Sequence, residues 1–343
     1  MKTKISARKF LSKYMIYLAF VALLIVFSLT LRNVGNGFLD MGNVWNIIRQ
    51  TALIAILGVG MTYALGAGQI DLSVGSVVGL TSLVTAWTVQ AAGLIPGVLA
   101  GLAVGAVVGA LNGALIAWVK IPPFIATLGT QILFAGVSRT VSGLKSVPIT
   151  NMTFNFVFGG GDFGGVPVLL LWMVVIVVVG QLFLRKRPFG RQVISVGGNP
   201  KAALYSGVRV KLTIFKVMLL SGVLASLAGI LWAGRFGGGR YSLGEAEETS
   251  AIAATVLGGT SINGGKASVL FHKIRGGRLR RCRHARHDQQ RARHVWSGCL
   301  SADGRPRPHH PRRRCLHRQR GEGRLSGRSL CWISLESAIQ TST

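Results

Sequence analysis

The sequence predicts an all-α, polytopic membrane protein carrying a tail of a different character. The first indication is run length: segment 14–31 has no charge over 18 residues, and at 1.5 Å rise it spans roughly 27 Å. Comparable apolar stretches occupy 51–67, 76–92, 94–119, 121–138, 166–184 and 213–234, and a small-residue segment covers about 249–271. Backbone amides in hydrocarbon must be paired internally, so these runs are read as helices, about 8 membrane segments within 10–271. The second indication is that charge is sparse and clustered between the runs. The third is a break at Phe271: all four cysteines and all seven histidines lie beyond it.

Charge placement predicts orientation. Lys2, Lys4, Arg8, Lys9 and Lys13 precede the first segment without an acidic residue, which keeps the N-terminus cytoplasmic. A lone apolar segment there would read as a signal peptide, but the segments that follow make it a span. Arg185, Lys186, Arg187, Arg191, Lys201, Arg209, Lys211 and Lys216 form a second acid-free cluster six spans later. An even number of spans returns the chain to its starting side, and Lys120, after four spans, agrees. Glu245, Glu247 and Glu248 follow a seventh span and fall outside. Absence of cysteine from 1–271 suits a bacterial inner-membrane protein without a disulfide framework.

Element by element, Gly58–Ser76 (GVGMTYALGAGQIDLSVGS) reads as two helices joined by a glycine-punctuated turn. Its one carboxylate, Asp71, is costly at membrane depth and a functional candidate; capping of a helix starting near Leu72 by Asp71 or Ser73 is the plainer role. Gly101, Gly105, Gly109 and Gly113 form one stripe for close helix packing. Asn112, beside it, either bonds across helices or faces a pathway. Lys120-Ile-Pro-Pro-Phe124 opens the next helix, where prolines lose no needed amide. Thr127 and Thr130 then either line a polar route or bond back to their own helix.

In 185–212, Gly197-Gly198 should break the chain, Asn199 should cap, and Pro200 suits the first position of a two-turn helix ending at Gly207. Such a helix in a basic loop is a lever that a partner could grip; an ordinary solvated loop is the alternative. Paired glycines at 258–259 and 264–265 suggest a broken or re-entrant helix, or a plain connection between spans.

Nothing in 1–271 resembles a catalytic constellation: without Cys or His, a Cys–His or Ser–His–Asp arrangement and a His-based metal site are impossible there, and no phosphate-binding loop occurs. No metal site is expected. Uphill movement of a solute would need a partner or an ion gradient.

Residues 272–343 are Arg-, His- and Cys-rich. Their isolated cysteines lack metal-ligand spacing, and no aromatics interleave with the arginines. Displacing the reading frame by one nucleotide turns CGN arginine codons into Val, Ala, Gly, Asp or Glu. Pro308–Cys315 can then read L-I-I-L-A-V-A-V. The tail is therefore expected to be out-of-frame translation, non-native or disordered, after a transmembrane domain at 1–271 that is C-terminally incomplete.

The motifs GMTYALGAGQIDLSVGS, LNGALIAWVKIPPFIATLGT, GRQVISVGGNPKAALYSGV and AIAATVLGGTSINGGKAS resemble, in order, the permeases of bacterial ATP-driven sugar importers. These are of the ribose/xylose/galactose type, related to branched-chain amino-acid permeases, and the resemblance covers 10–270. It implies an inner-membrane, non-enzymatic subunit carrying a ribose-like monosaccharide inward, with no cofactor of its own. ATP would be bound by a separate ATP-hydrolysing subunit docking on the coupling helix formed by Asn199, Pro200, Lys201, Ala202, Ala203, Leu204, Tyr205, Ser206 and Gly207. A periplasmic sugar-binding protein and a second permease copy, identical or related, would complete the assembly in the lipid bilayer. Asp71, Ser73 and Ser76 would belong to the signature turn, with Asn112, Thr127 and Thr130 as pathway candidates. A permease for branched-chain amino acids or a sugar-like signalling molecule is the alternative. A membrane-anchored nucleic-acid-binding protein using the arginine tail is the reading from another class, although no nucleic acid is expected.

Overall fold

A computed structural model describes residues 21–30, 38 and 40–269. The N-terminal basic cluster, parts of segment 14–31 and the whole tail 272–343, with its reading-frame expectation, lie outside the described residues. Six helices are long and apolar enough to cross a membrane: α2 (Met41–Gly66), α3 (Val74–Ala92), α4 (Leu94–Ala114, extended by a π turn over Leu115–Val119), α5 (Pro123–Ser142), α7 (Val168–Lys186) and α10 (Val210–Phe236). A shorter apolar helix, α1 (Val21–Thr30), precedes them. Shorter pieces are α6 (Met152–Asn155), α8 (Pro188–Gly198), α9 (Pro200–Tyr205) and α11 (Glu247–Leu257).

The eighth predicted segment, 249–271, is not a membrane-length helix. Helix α11 stops at Leu257, Gly259 takes φ +96°, and Gly264 and Gly265 take +79° and +74°. Left-handed backbone at three glycines ends the helical ladder and turns the chain. Helix α2 begins ten residues before its apolar run, because the Asp40 carboxylate accepts from the Gly42 amide at 3.0 Å and caps an otherwise polar first turn.

Four helices form the centre. The missing side chains of the α4 glycines set its closeness to α10. A Cβ on Gly105 would collide with the carbonyl oxygen of Gly222. One on Gly109 would sit 2.7 Å from the Met218 oxygen, and one on Gly113 would sit 2.9 Å from the Phe215 ring. At Gly101 it would collide with the Thr85 hydroxyl of α3. Between apolar helices in lipid there is little hydrophobic drive, so backbone proximity of this kind supplies the packing. Helix α2 closes the group through buried Leu53, Ile56, Leu57 and Met61.

The alternating helices give the molecule two chemically distinct ends. Lys120 and the basic residues from Arg185 to Lys216 share one end, where Trp118 meets Phe215 edge-on with ring centroids 5.1 Å apart. Glu248 sits at mid-height, its Oε1 accepting from Gln131 in the middle of α5 at 2.9 Å, whereas Asp162, Glu245 and Glu247 lie toward the other end. There Arg49 pairs with Asp162 at 2.6 Å, and Arg139 with Glu245 at 2.8 Å. Two-residue strands Val147–Pro148 and Gly238–Gly239 pair antiparallel at this acidic end.

Candidate functional site

Residues 67–73 connect α2 to α3 outside the helices, through a turn at Ala67 and the left-handed Gly68, and here the polar candidates meet. The Asp71 carboxylate is 1% exposed. Its Oδ1 accepts from the Ser73 hydroxyl at 2.6 Å and the Ser73 amide at 3.1 Å, and its Oδ2 accepts from the Ser221 hydroxyl of α10 at 2.6 Å. Asn112 of α4 donates through Nδ2 to Ser73 Oγ at 2.8 Å, while its Oδ1 accepts from Thr130 of α5 at 2.8 Å. One chain of donors therefore runs Thr130, Asn112, Ser73, Asp71, and a second donor enters from Ser221. The directions are mutually consistent, since each hydroxyl spends its single proton once along the chain.

The arrangement joins α4, α5, α10 and the 67–73 turn. No ion pair among the described residues reaches Asp71, so hydroxyl and amide donors alone compensate its burial. Helix α3 begins at Val74, two residues later than Leu72. Ser73 makes no side-chain cap; its Oγ donates to Asp71 and accepts from Asn112 instead. Asn112 bonds across helices. Thr127 bonds back to the Pro123 oxygen at 2.8 Å and also approaches the Ile70 oxygen at 3.2 Å. Ser76 stands apart, its hydroxyl donating to the Ser73 carbonyl at 2.9 Å.

Ser221 escaped sequence reasoning. One hydroxyl in a long apolar span carries no periodic signal; the small pair Ser221-Gly222 in mid-span was the only cue.

At the basic end, α8 and α9 stand between α7 and α10. Gly197-Gly198 do not break the chain, as expected from sequence, but form the last residues of α8. The break falls at Asn199, whose φ of −159° leaves the helix and whose Oδ1 accepts from the Ala202 amide at 3.0 Å. Gly207, at φ +82°, follows α9. Only Ala203 is buried. Leu204 and Tyr205 are 60% and 89% exposed, an apolar and aromatic pair on a basic surface.

At the acidic end, a recess of about 360 Å³ lies among Gln50, Ile54, Trp232, Arg235, Glu245 and Glu247. Glu247 Oε2 is buried there without a hydrogen-bond partner. Burial pushes the Glu247 carboxyl above its ordinary range, and the nearby Glu248 adds to the rise against an opposing hydrogen bond from Ser250. No group of His, Cys, Asp or Glu among the described residues could hold a metal ion.

Residues 43–271 match the model of the branched-chain amino acid transport system / permease component family. The ribose import permease protein RbsC of Bacillus subtilis (strain 168) is 42% identical over 239 residues, covering 68% of this chain and 73% of that protein. The D-allose transport system permease protein AlsC of Escherichia coli (strain K12) is 34% identical, covering 70% and 74%. The ribose import permease protein RbsC of the same strain is 35% identical over 273 residues, covering 78% and 84%. No solved structure matches the chain. With a family match spanning most of the chain and six membrane-length helices in the matched region, the chain belongs to this family of transport-system permease components: multi-pass inner-membrane subunits, not enzymes.

Proposed function

We propose that this chain is the permease subunit of an ATP-binding-cassette importer for a monosaccharide of the ribose or allose kind. The carrying observation is the similarity to ribose and allose permeases across two thirds or more of the chain, and the exposed helix α9 lies within the family match over residues 43–271. Importer permeases work with an ATP-hydrolysing subunit and a substrate-binding protein. In this reading Asn199, Pro200 and Lys201 start the helix, and Leu204 and Tyr205 offer the ATPase an apolar grip. The basic end faces the cytoplasm, by the positive-inside rule, and the acidic end receives the sugar.

The recess beside Trp232 suits that reception. An indole face, an amide, a guanidinium and carboxylates are the groups that hold a neutral polyol by stacking and hydrogen bonds. A second permease copy completes the route. The buried chain from Thr130 to Asp71 fixes the helices bordering it. Residues 272–343 are read as out-of-frame translation, testable by resequencing codons 265–280.

Reconstitution tests the function. Vesicles holding the permease with residues after 271 restored to the displaced frame, the ATPase subunit and the binding protein should accumulate labelled ribose or allose on ATP addition. Scrambling Asn199–Tyr205 should abolish uptake. Uptake of leucine but of no sugar would overturn the sugar assignment, and undiminished uptake with the scrambled helix would overturn the role of α9.

A further inference from the structure

Three chain segments from distant parts of the sequence meet at the basic end largely through backbone. They are the end of α2 (Gly66), the end of α8 (Gly197 and Gly198) and the turn after α11 (Gly264 and Gly265). The Gly265 amide donates to the Gly66 carbonyl at 3.2 Å. A Cβ on Gly197 would collide with that same carbonyl oxygen and lie 2.7 Å from the Gly265 nitrogen. On the other side, a Cβ on Gly264 would come within 2.5 Å of the Gly197 oxygen, and one on Gly265 within 2.8 Å of the Gly198 Cα.

Two functional features begin at this meeting point. Beyond Gly197 the chain enters α9 at Pro200; beyond Gly66 it passes the left-handed Gly68 and reaches Asp71. Side chains between packed elements can absorb a displacement by changing rotamer, but a backbone-on-backbone contact has no such slack. The ring of Phe189 in α8, stacked on Tyr63 of α2 at 6.0 Å, makes a second tie between the same elements.

We infer that Gly66, Gly197 and Gly265 are positioning residues for coupling: their junction carries displacement of α9 directly to the turn that holds Asp71. The inference rests on the proposed role of α9 as the helix gripped by the ATPase. Movement at α9 then shifts Gly197, Gly66 follows, and the donors on Asp71 are realigned against α4 and α10.

The test uses the full chain in membrane vesicles with the ATPase subunit, its own Cys282, Cys299, Cys315 and Cys331 changed to serine. Leu72→Cys is the reporter, half-buried beside Asp71 but outside the hydrogen-bonded chain. ATP should change its maleimide labelling rate about fivefold or more. Gly197→Ala should remove this response while the ATPase still co-purifies. Gly198→Ala should retain it, because a Cβ there meets only the Gly265 Cα at 3.8 Å. Gly66→Ala should weaken the response, and adding Ala267→Gly should restore it, since the nearest obstruction is the Ala267 Cβ at 2.9 Å. That pair decides the matter even if Gly197→Ala fails to assemble.

An unchanged response in Gly197→Ala would overturn the inference. So would equal damage from Gly198→Ala, or a reference chain that binds the ATPase yet shows no ATP response. Failure of the ATPase subunit to bind the reference chain would defeat the coupling role of α9 instead, and the inference with it.

Discussion

Helices α7 and α10 are both strongly apolar membrane-length helices, yet 56% of the apolar window of α10 is buried inside the protein against 11% for α7. Composition explains the difference. Helix α7 is a run of Val, Leu and Ile with one glycine, Gly180, whereas α10 carries Ser221, Gly222, Ala225, Ser226, Ala228, Gly229, Ala233 and Gly234. Large aliphatics gain nothing by exchanging lipid for protein. Small residues gain contact, because two backbones can approach. Apolarity says that a helix crosses the bilayer; residue size says what it faces when it does.

The sharpest way to break this contrast is to enlarge a glycine on the crowded side. Gly105→Leu should cost ~3 kcal/mol or more and prevent assembly, measured as loss of monodisperse protein in detergent, because its side chain must displace the Gly222 carbonyl. Next come the buried polar partners. Asn112→Leu removes both bonds that cross from α4, at about 1–3 kcal/mol in all, since the Thr130 hydroxyl keeps the Thr127 carbonyl at 3.0 Å while the Ser73 oxygen loses its donor. Ser221→Ala strips one oxygen of Asp71 of its donor at a cost of about 1–3 kcal/mol. Both should lower the thermal unfolding midpoint of the purified protein, Asn112→Leu more than Ser221→Ala.

A smaller effect probes a hydrogen bond that ties α2 to α7. Tyr63 donates its hydroxyl to the Gly180 oxygen at 2.7 Å, and Tyr63→Phe should cost about 1 kcal/mol while leaving α2 packed. Smallest of all, Val175→Ala on the outward face of α7 should change stability by less than about 0.5 kcal/mol. A large loss there would mean that this face is covered by protein.

The membrane helices could be located in the sequence because each is a long uncharged run, and cap chemistry at Asn199 and the paired prolines before α5 was local enough to read. Two failures share one cause. Helix α8 was missed because PFGRQVISVGG mixes polar, glycine and apolar residues in a manner typical of loops. It is helical because Gly190 and Gly197 let it lie against Leu184 and Gly66. Segment 249–271 does not span as its apolar composition suggests; its paired glycines, which also suggest a broken helix, turn the chain, with Gly264 and Gly265 left-handed where they meet Gly197 and Gly198. Asp71, Ser73, Asn112 and Thr130 each stood out singly as polar residues in apolar surroundings. Their convergence did not, since the bonds span up to 150 positions and Ser221 offers only its place beside Gly222 as a cue.

Helix α3 shows what such packing demands during synthesis. It carries Thr81, Ser82, Thr85, Thr88 and Gln90 and is the most enclosed of the six, with 67% of its window inside the protein. Its flank against α4 is available at once, but its flank against α10 stays uncovered until the ribosome has passed Val210. In the interval Thr81, whose packing partner is Gly229 of α10, stands against lipid or the insertion machinery. Biogenesis of this permease therefore has a vulnerable window in which an early helix waits for a late one, and a nascent chain stalled before α10 is the form that quality-control proteases should recognise.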